Sequence, residues 1–243
     1  MMNKSPYKIQ PFSDLILFED DQYIVINKPP YLSTLEDRNS PVNLLKLARA
    51  YHPDASVCHR LDKETSGLLV ISKNETAYKY FAHLLQEREV VKVYHALVEG
   101  RREINELELN KPIYSSSSRS RIDFKQGKQS LTLVTTVEIY KQHTLVACMP
   151  FTGRMHQIRV HLADAGMPII GDEEYGGKPL LLSQIKRKYS HGKFEEEKPM
   201  IGRVALHAAG LSFTDMSNKT QKLSAPYPRD LQAAITQLEK NKS

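Results

Sequence analysis

The sequence contains few cysteines and no long apolar run. Its two cysteines, Cys58 and Cys148, lie far apart and form no CxxC pair, which argues against a disulfide framework or a cysteine-based zinc site. No stretch approaches the roughly 20 apolar residues of a membrane span, and the first residues lack the apolar core of a signal peptide. These absences predict a soluble cytoplasmic protein.

The charge balance is modestly basic. The chain has 34 Lys and Arg residues against 28 Asp and Glu residues, a formal net charge of +6. Such an excess suits a polyanionic partner such as RNA or DNA, because basic side chains bind phosphates. Many basic proteins bind no nucleic acid, however, so the net charge alone leaves this question open.

Basic side chains are concentrated in two polar stretches, residues 111–130 and 178–193. Both stretches contain Ser or Gly, and we expect them to be exposed loops that can line a phosphate backbone. For each stretch taken singly, a solvated surface is an equally good interpretation. The basic residues of the first stretch are Lys111, Arg119, Arg121, Lys125 and Lys128.

Apolar patterns predict an α+β fold. The predicted strands are residues 15–18, 23–27, 67–72, 90–98, 131–139, 144–149 and 204–213. The predicted helices are residues 41–51, 74–88, 152–165 and a segment from Pro228. Strands outnumber helices and do not alternate with them, which favours a mixed, mainly antiparallel central sheet with flanking helices. No internal repeat or long linker is present, so we expect one domain over residues 1–243.

The segment His59-Arg60-Leu61-Asp62-Lys63-Glu64-Thr65-Ser66-Gly67 precedes the predicted buried strand 67–72. If the chain is extended here, Arg60 and Asp62 project from the same side, and the guanidinium keeps the carboxylate ionised. A charged pair at the end of a buried strand suits catalysis. A purely structural ion pair is the commoner arrangement, and these residues alone favour it.

A second polar cluster occupies residues 152–161, at the start of a predicted helix. Its donors Arg154, His156, Gln157 and Arg159 suit recognition of a phosphate or carboxylate. A plain surface helix is the alternative. His156 and His161 are five residues apart, which does not match the metal-binding spacing of a zincin. The adjacent acids 172–174 are expected to be solvated, so no metal site is predicted.

Four blocks of sequence, in order, resemble the RluA-type RNA pseudouridine synthases. They are HRLDKETSGLLV, VKVYHALVEG, GRMHQIRVHLADAGMPIIGDEEYGG and ALHAAGLSF, and the opening ILFEDDQYIVINKPP is similar to that family's start. The resemblance covers about residues 15–213. It implies the pseudouridine synthase fold and an isomerase that converts specific uridines of ribosomal or transfer RNA to pseudouridine. Many relatives carry an additional S4-type RNA-binding domain before this region, and we expect none here because only about a dozen residues precede the resemblance.

The resemblance also assigns roles to four residues. Asp62 corresponds to the catalytic aspartate, and Arg159 to the basic residue that pairs with it. Tyr94 corresponds to the active-site tyrosine that stacks on the uracil or also acts as a general base, and Arg60 to a residue that helps to displace or hold the flipped nucleotide. The chemistry agrees, because uracil is a poor leaving group and an anionic oxygen near C1′ assists its departure, as in retaining glycosidases. Base flipping is required for access, and no cofactor or metal is needed.

Two other functions remain open from the sequence. One is a non-catalytic RNA-binding or ribosome-assembly factor on the same fold. The other is a glycosidase or nucleosidase that uses Asp62, although no second carboxylate partners it in the motif. Cys58 is expected to be a free core cysteine and His207 a hydrogen-bonded structural histidine. The oligomeric state is taken as monomeric by default.

Overall fold

A computed structural model describes residues 10–36, 42–186, 189 and 197–242. The strands, in chain order, are β1 Ile16–Glu19, β2 Tyr23–Lys28, β3 Ser56–Val57, β4 Ser66–Ser72, β5 Val91–Glu99, β6 Leu107–Asn110, β7 Ile113–Ser115, β8 Ser120–Ile122, β9 Leu131–Ile139, β10 His143–Pro150, β11 Leu206–Thr214 and β12 Thr220–Ser224. The helices are α1 Leu44–Tyr51, α2 Glu75–Gln86, α3 Gln157–Asp164, α4 Leu182–Ile185 and α5 Arg229–Lys240. Short 3-10 turns occupy Phe12–Leu15 and Glu173–Tyr175.

The first of two compact units comprises Met1–Lys92 and His207–Tyr227. Its strand β2 lies between β1 and β4 and is antiparallel to both. β4 also pairs in parallel with β11 and antiparallel with the short β3, and β12 is antiparallel to β11. All seven residues of β4 are buried, so the buried strand predicted over residues 67–72 is confirmed.

The core of the first unit contains a cluster of aromatic rings. Tyr23, Phe81 and Phe213 pack with ring centroids 5.1 to 5.9 Å apart, a spacing that favours edge-to-face contact. Phe81 belongs to α2, whose first turn is capped by Asn74: the side-chain oxygen accepts a hydrogen bond from the Ala77 N–H. The helix predicted over residues 74–88 is therefore confirmed, with bounds of Glu75–Gln86.

The second unit comprises Val93–Leu206 and Pro228–Ser243. β10 pairs antiparallel with β5 and β9, and β9 pairs antiparallel with β6. β7 and β8 form a separate antiparallel hairpin, and α3 packs against β8, β9 and β10. The buried guanidinium of Arg203 attaches α5 to this unit through a two-point ion pair with Asp230, at 2.7 and 3.0 Å.

The predicted fold class is confirmed. Within each unit the strand pairs are antiparallel except for β4 and β11, and helices flank the strands, as in an α+β protein. Among the described residues, no helix combines the length and the apolar character needed to cross a membrane. The expectation of one catalytic domain concerns the two units together and stays a prediction.

The basic stretch 111–130 is not the simple loop that was predicted. It contains β7 and β8, although the five basic side chains are all exposed as expected. The other basic stretch begins with the short helix α4, while Arg187, Lys188 and residues 190–196 lie outside the described residues. Pro41 lies outside them too, and α1 starts only at Leu44, after the capping residue Asn43.

The helix predicted over residues 152–165 begins five residues late. His156 precedes α3 in a left-handed conformation, with φ of 55°. The Gln157 side chain holds the non-helical residues before α3. Its oxygen accepts hydrogen bonds from the Thr152 hydroxyl and the Arg154 N–H. Its amide nitrogen donates to the Leu131 carbonyl oxygen. Gln157 is thus a buried structural residue, and its predicted place in an anion-binding cluster is wrong.

Candidate active site

The segment 59–65 connects β3 to β4 without being a strand itself. It leaves the sheet at His59, whose ring Nε2 accepts a hydrogen bond from the Val70 N–H of β4. The preceding residue, Cys58, still donates its N–H to the Val70 carbonyl oxygen. The ring therefore replaces a backbone acceptor at the point where the chain departs from β4.

His59 remains neutral in this position. Burial, with a smaller contribution from the positive charge of Lys92, lowers the pKa of its imidazole to about 3. The ring also stacks on Phe81 of α2, with centroids 6.3 Å apart. A neutral imidazole can accept the Val70 N–H, whereas a protonated one cannot. His59 is therefore a structural anchor for the segment that contains Asp62.

Lys28, a buried lysine for which the sequence predicted no role, holds the other side of the segment. Lys28 is 0% exposed, and its ammonium donates hydrogen bonds to the carbonyl oxygens of Pro29, Leu32 and Lys63 at 2.9 to 3.2 Å. A buried charge is costly unless it is paired or hydrogen-bonded. The ammonium therefore fixes the backbone immediately after Asp62.

Thr34 fixes the backbone immediately before Asp62. Its buried hydroxyl donates to the Leu61 carbonyl oxygen at 2.8 Å and accepts from the Leu61 N–H at 3.2 Å. The Leu61 side chain is 4% exposed and points into the core. Both neighbours of Asp62 are thus held by residues 28–34, and no signal within the signature itself predicted these long-range contacts.

Asp62 is half-buried, and its carbonyl oxygen accepts the Thr65 N–H, which closes a turn. Arg60 is exposed, and it forms no hydrogen bond or ion pair with the described residues. The predicted ion pair between Arg60 and Asp62 is therefore wrong. Because the segment is not a strand, residues two apart need not project from the same side. Arg60 is placed instead where a ligand in solution can reach it.

The strand that follows needs glycine at its second position. Gly67 has φ of 110°, and a Cβ atom there would lie 2.2 Å from the Ala208 carbonyl oxygen of β11. Next to it, the Ser66 hydroxyl lies 2.9 Å from His207 Nδ1, while His207 Nε2 lies 3.2 Å from the Ala225 carbonyl oxygen. The expectation that His207 is a hydrogen-bonded structural histidine is confirmed.

Cys58 does not have the properties of a nucleophile. Burial raises the pKa of its thiol to about 12, whereas a reactive cysteine needs a lowered pKa. Both cysteines are free. Cys58 is thus a free cysteine as expected, but it is half-buried and does not lie in the core.

Arg159, in the second unit, lies on α3 and is surrounded by carboxylates. Its Nε and Nη2 donate to the two oxygens of Asp172 at 2.7 Å each, and Nη2 also donates to Glu174 at 2.9 Å. The side chains of Arg159 and Asp172 are only 8% and 1% exposed. The expectation that residues 172–174 are solvated is therefore wrong for Asp172, because the guanidinium compensates its buried charge.

Tyr94, the other site residue of the second unit, lies half-buried on β5 and is opposite Cys148 of β10. The structure thus places Arg60 and Asp62 in the first unit, and Tyr94 and Arg159 in the second. The expectation that Asp62 pairs with Arg159 and acts together with Tyr94 stays a prediction.

The comparisons with known proteins identify the family. Residues 22–164, more than half of the chain, match the family model described as RNA pseudouridylate synthase. The chain belongs to this family. A relative named ribosomal large subunit pseudouridine synthase C, from Escherichia coli strain K12, is 33% identical over 95% of this chain and 72% of its own length. The chain is therefore an isomerase of the pseudouridine synthase type, as the resemblance implied.

Solved structures show the same fold. The human RNA pseudouridylate synthase domain containing 1 has a TM-score of 0.68 at 27% identity, covering 90% of this chain and 86% of its own. The human RNA pseudouridylate synthase domain containing 4 has a TM-score of 0.71 at 24% identity, covering 94% of each chain. The predicted pseudouridine synthase fold is thus confirmed.

Proposed function

We propose that this chain isomerises uridine in RNA of the large ribosomal subunit, with Asp62 as its catalytic carboxylate. The observation that supports this most directly is the fixed segment around Asp62, where Lys28 and Thr34 hold the backbone on both sides. The large-subunit substrate follows the name of the Escherichia coli relative. Transfer RNA is the alternative substrate.

In the proposed reaction the bond between N1 and C1′ of the uridine breaks, the uracil turns, and a bond forms between C5 and C1′. C5 loses its proton and N1 gains one, so the product is an isomer of the substrate. The Asp62 carboxylate attacks C1′ or stabilises its positive charge. Arg159 pairs with this carboxylate and Tyr94 stacks on the base, while Arg60 holds the flipped nucleotide. This reaction needs no redox step or activated group, so we propose that it uses neither cofactor nor metal.

Release of tritium from RNA labelled at C5 of uridine tests the role of Asp62. We expect Asp62→Asn to abolish release while the Kd for RNA changes little, because the amide keeps the shape but loses the charge. Asp54→Asn, the same change at an exposed aspartate of the same unit, is the matched control and should retain full turnover. Turnover by the Asp62→Asn protein would contradict the proposal. Restoration of a deletion phenotype by that inactive protein would favour a non-catalytic RNA-binding role.

We also propose that residues 111–130, here called the basic hairpin, contact the RNA. Their five basic side chains are exposed, and so is Phe124, at 77%. The Arg121 guanidinium lies 4.5 Å from the centroid of the Tyr114 ring. Exposed cations beside aromatic rings suit phosphates and unstacked bases.

The salt dependence of RNA binding tests this contact. Each lost phosphate contact lowers the slope of log Kd against log salt by about 0.7 to 0.9, so Lys125→Ala with Lys128→Ala should lower it by about 1.5. The control pair Lys79→Ala with Lys240→Ala changes the net charge equally at exposed lysines outside the hairpin. Equal slopes for the two double variants would contradict a contact at the hairpin.

A further inference from the structure

Tyr175, in the 3-10 turn after α3, contacts the Arg159 guanidinium with its ring. The central carbon of the guanidinium lies 4.8 Å from the ring centroid, within the range of a cation–π contact. Asp172 and Glu174 hold the edge of the same guanidinium. Hydrogen bonds to the edge of a planar guanidinium restrict its movement mainly within its own plane. The ring therefore restricts the movement of the Arg159 guanidinium out of that plane.

The hydroxyl of the same tyrosine holds the basic hairpin. It accepts a hydrogen bond from the Ser120 N–H at 3.0 Å and donates to the Ser120 carbonyl oxygen at 3.2 Å. Both backbone groups of one residue of β8 are thus satisfied by a single side-chain oxygen. The adjacent Arg119 adds a bond from its guanidinium to the Glu174 carbonyl oxygen at 3.0 Å. The hairpin is therefore anchored to the turn that contains Tyr175.

The hydroxyl also contacts the residue that begins α3. His156 Nδ1 lies 2.9 Å from the hydroxyl oxygen, and the left-handed conformation of His156 sets where α3 starts. With the hydroxyl donating to Ser120, His156 Nδ1 donates to the hydroxyl. Burial raises the pKa of Tyr175 above its ordinary value, so the hydroxyl keeps the proton that these contacts need.

The backbone of the turn has little freedom to move. A Cβ atom at Gly177 would lie 1.8 Å from the Ile169 carbonyl oxygen, so the chain passes very close to residue 169 just after Tyr175. The Gly177 N–H also donates to the Asp172 carbonyl oxygen at 2.8 Å. These contacts therefore fix the position of the backbone at Tyr175.

We infer that Tyr175 is a positioning residue with two separable tasks: its ring orients Arg159 for the chemical step, and its hydroxyl orients the basic hairpin for RNA binding. This inference rests on the proposed roles of Arg159 and of the hairpin. None of these bonds joins Arg159 directly to the hairpin, and Tyr175 is the side chain among them that contacts both. The Arg119 guanidinium of the hairpin also lies 5.7 Å from the centroid of the Tyr175 ring. No pattern in the sequence predicted a role for Tyr175.

Two substitutions separate the tasks. Tyr175→Phe keeps the ring and removes the hydroxyl, whereas Tyr175→Leu removes both. For each variant, the rate of a single turnover at saturating enzyme, the Kd for RNA and the hydrogen exchange of the Ser120 amide are measured. Tyr140→Leu, at a buried tyrosine of the same unit, controls for a general loss of stability.

We expect Tyr175→Phe to speed exchange at Ser120 and to weaken RNA binding about fivefold, the scale of one hydrogen bond, with the single-turnover rate changed less than about twofold. Tyr175→Leu should show at least the same losses, because it also removes the ring beside Arg119, and it should slow the single turnover about tenfold. Equal single-turnover rates in the Leu variant and the wild type would overturn the ring's task. Unchanged Kd and Ser120 exchange in the Phe variant would overturn the hydroxyl's task.

Two further variants distinguish failure of this inference from failure of the proposed function. If Arg159→Ala leaves the single-turnover rate intact, the proposed role of Arg159 fails, whatever Tyr175 does. If the Lys125→Ala with Lys128→Ala protein binds RNA normally, the proposed role of the hairpin fails. If both of these variants lose function while the Tyr175 variants do not, only the inference about Tyr175 is wrong and the proposed function stands.

Discussion

At the scale of single residues, buried polar side chains anchor the segment that holds Asp62. Lys28 and Thr34 hold its neighbours on either side, and His59 holds the point where the segment leaves β4. Each of these bonds joins residues that are remote in sequence or belong to different elements. This support is consistent with the proposed catalytic role of Asp62, because small displacements of a reacting group have large effects on rate.

The neutral His59 gives the stability of the protein a specific pH dependence. The pKa is about 3 in the folded protein and about 6.5 in an unfolded chain. As the pH falls from 6.5 towards 3, the unfolded state binds a proton that the folded state does not bind, so the free energy of unfolding decreases in this window. Between pH 6.5 and 5 this single site contributes a loss of about 2 kcal/mol.

Urea unfolding at pH 7 and pH 5 measures this contribution. Wild type should lose about 2 kcal/mol more than His59→Gln between these two pH values, because glutamine can accept the Val70 N–H without titrating. His83→Gln, at an exposed histidine of α2, should behave like wild type. A His59→Gln protein that loses as much stability as wild type would show that His59 is not the group responsible.

Several contacts that hold the site residues could not be predicted from the sequence. The sequence predicts Asp62 as the catalytic residue, but it could not reveal that Lys28 binds the Lys63 carbonyl oxygen or that Asp172 pairs with Arg159. Those partners are remote in sequence or separated by a turn, and their residue types fit many other roles. Arg60 was paired with Asp62 on the assumption of a regular strand. Because the segment is not a strand, a spacing of two residues does not place both side chains on one side.

At the scale of elements, the close approach of β4 to β11 depends on Gly67. A Cβ atom there would lie 2.2 Å from the Ala208 carbonyl oxygen, and φ of 110° is strained for any other residue. We therefore expect Gly67→Ala to lower the free energy of unfolding by about 3 kcal/mol. Gly153→Ala, where nothing lies within 4 Å of the added Cβ, should change it by less than about 0.5 kcal/mol. Similar effects in urea unfolding would refute the steric argument.

Elements with a strong apolar pattern were predictable and the others were not. β4, β9 and α2 were predicted within a few residues because their buried positions follow the strand or helix period. β7 and β8 are short and largely polar, so their stretch resembled a loop. The start of α3 depends on the backbone conformation of His156 and on side-chain hydrogen bonds of Gln157. A periodic pattern of apolar residues reveals neither of these.

At the scale of the whole molecule, the proposal of a single catalytic domain over residues 1–243 predicts one cooperative unfolding transition. If the two compact units share one folding equilibrium, a core substitution in either unit lowers the same Tm. Phe81→Leu tests the first unit and Leu145→Ala the second, since both side chains are buried. Each change should cost about 2 to 3 kcal/mol and lower the Tm by roughly 5 to 10 °C.

Scanning calorimetry of the complete chain distinguishes the possibilities. For a single domain we expect one transition in wild type and in both variants, with equal calorimetric and van't Hoff enthalpies. Two transitions, of which each variant shifts only one, would show that the units are independent domains. In that case the proposed cooperation of Asp62 in one unit with Tyr94 and Arg159 in the other would need RNA to bring them together. Repeating the scan with bound RNA would test this, because a ligand that binds both units couples their unfolding.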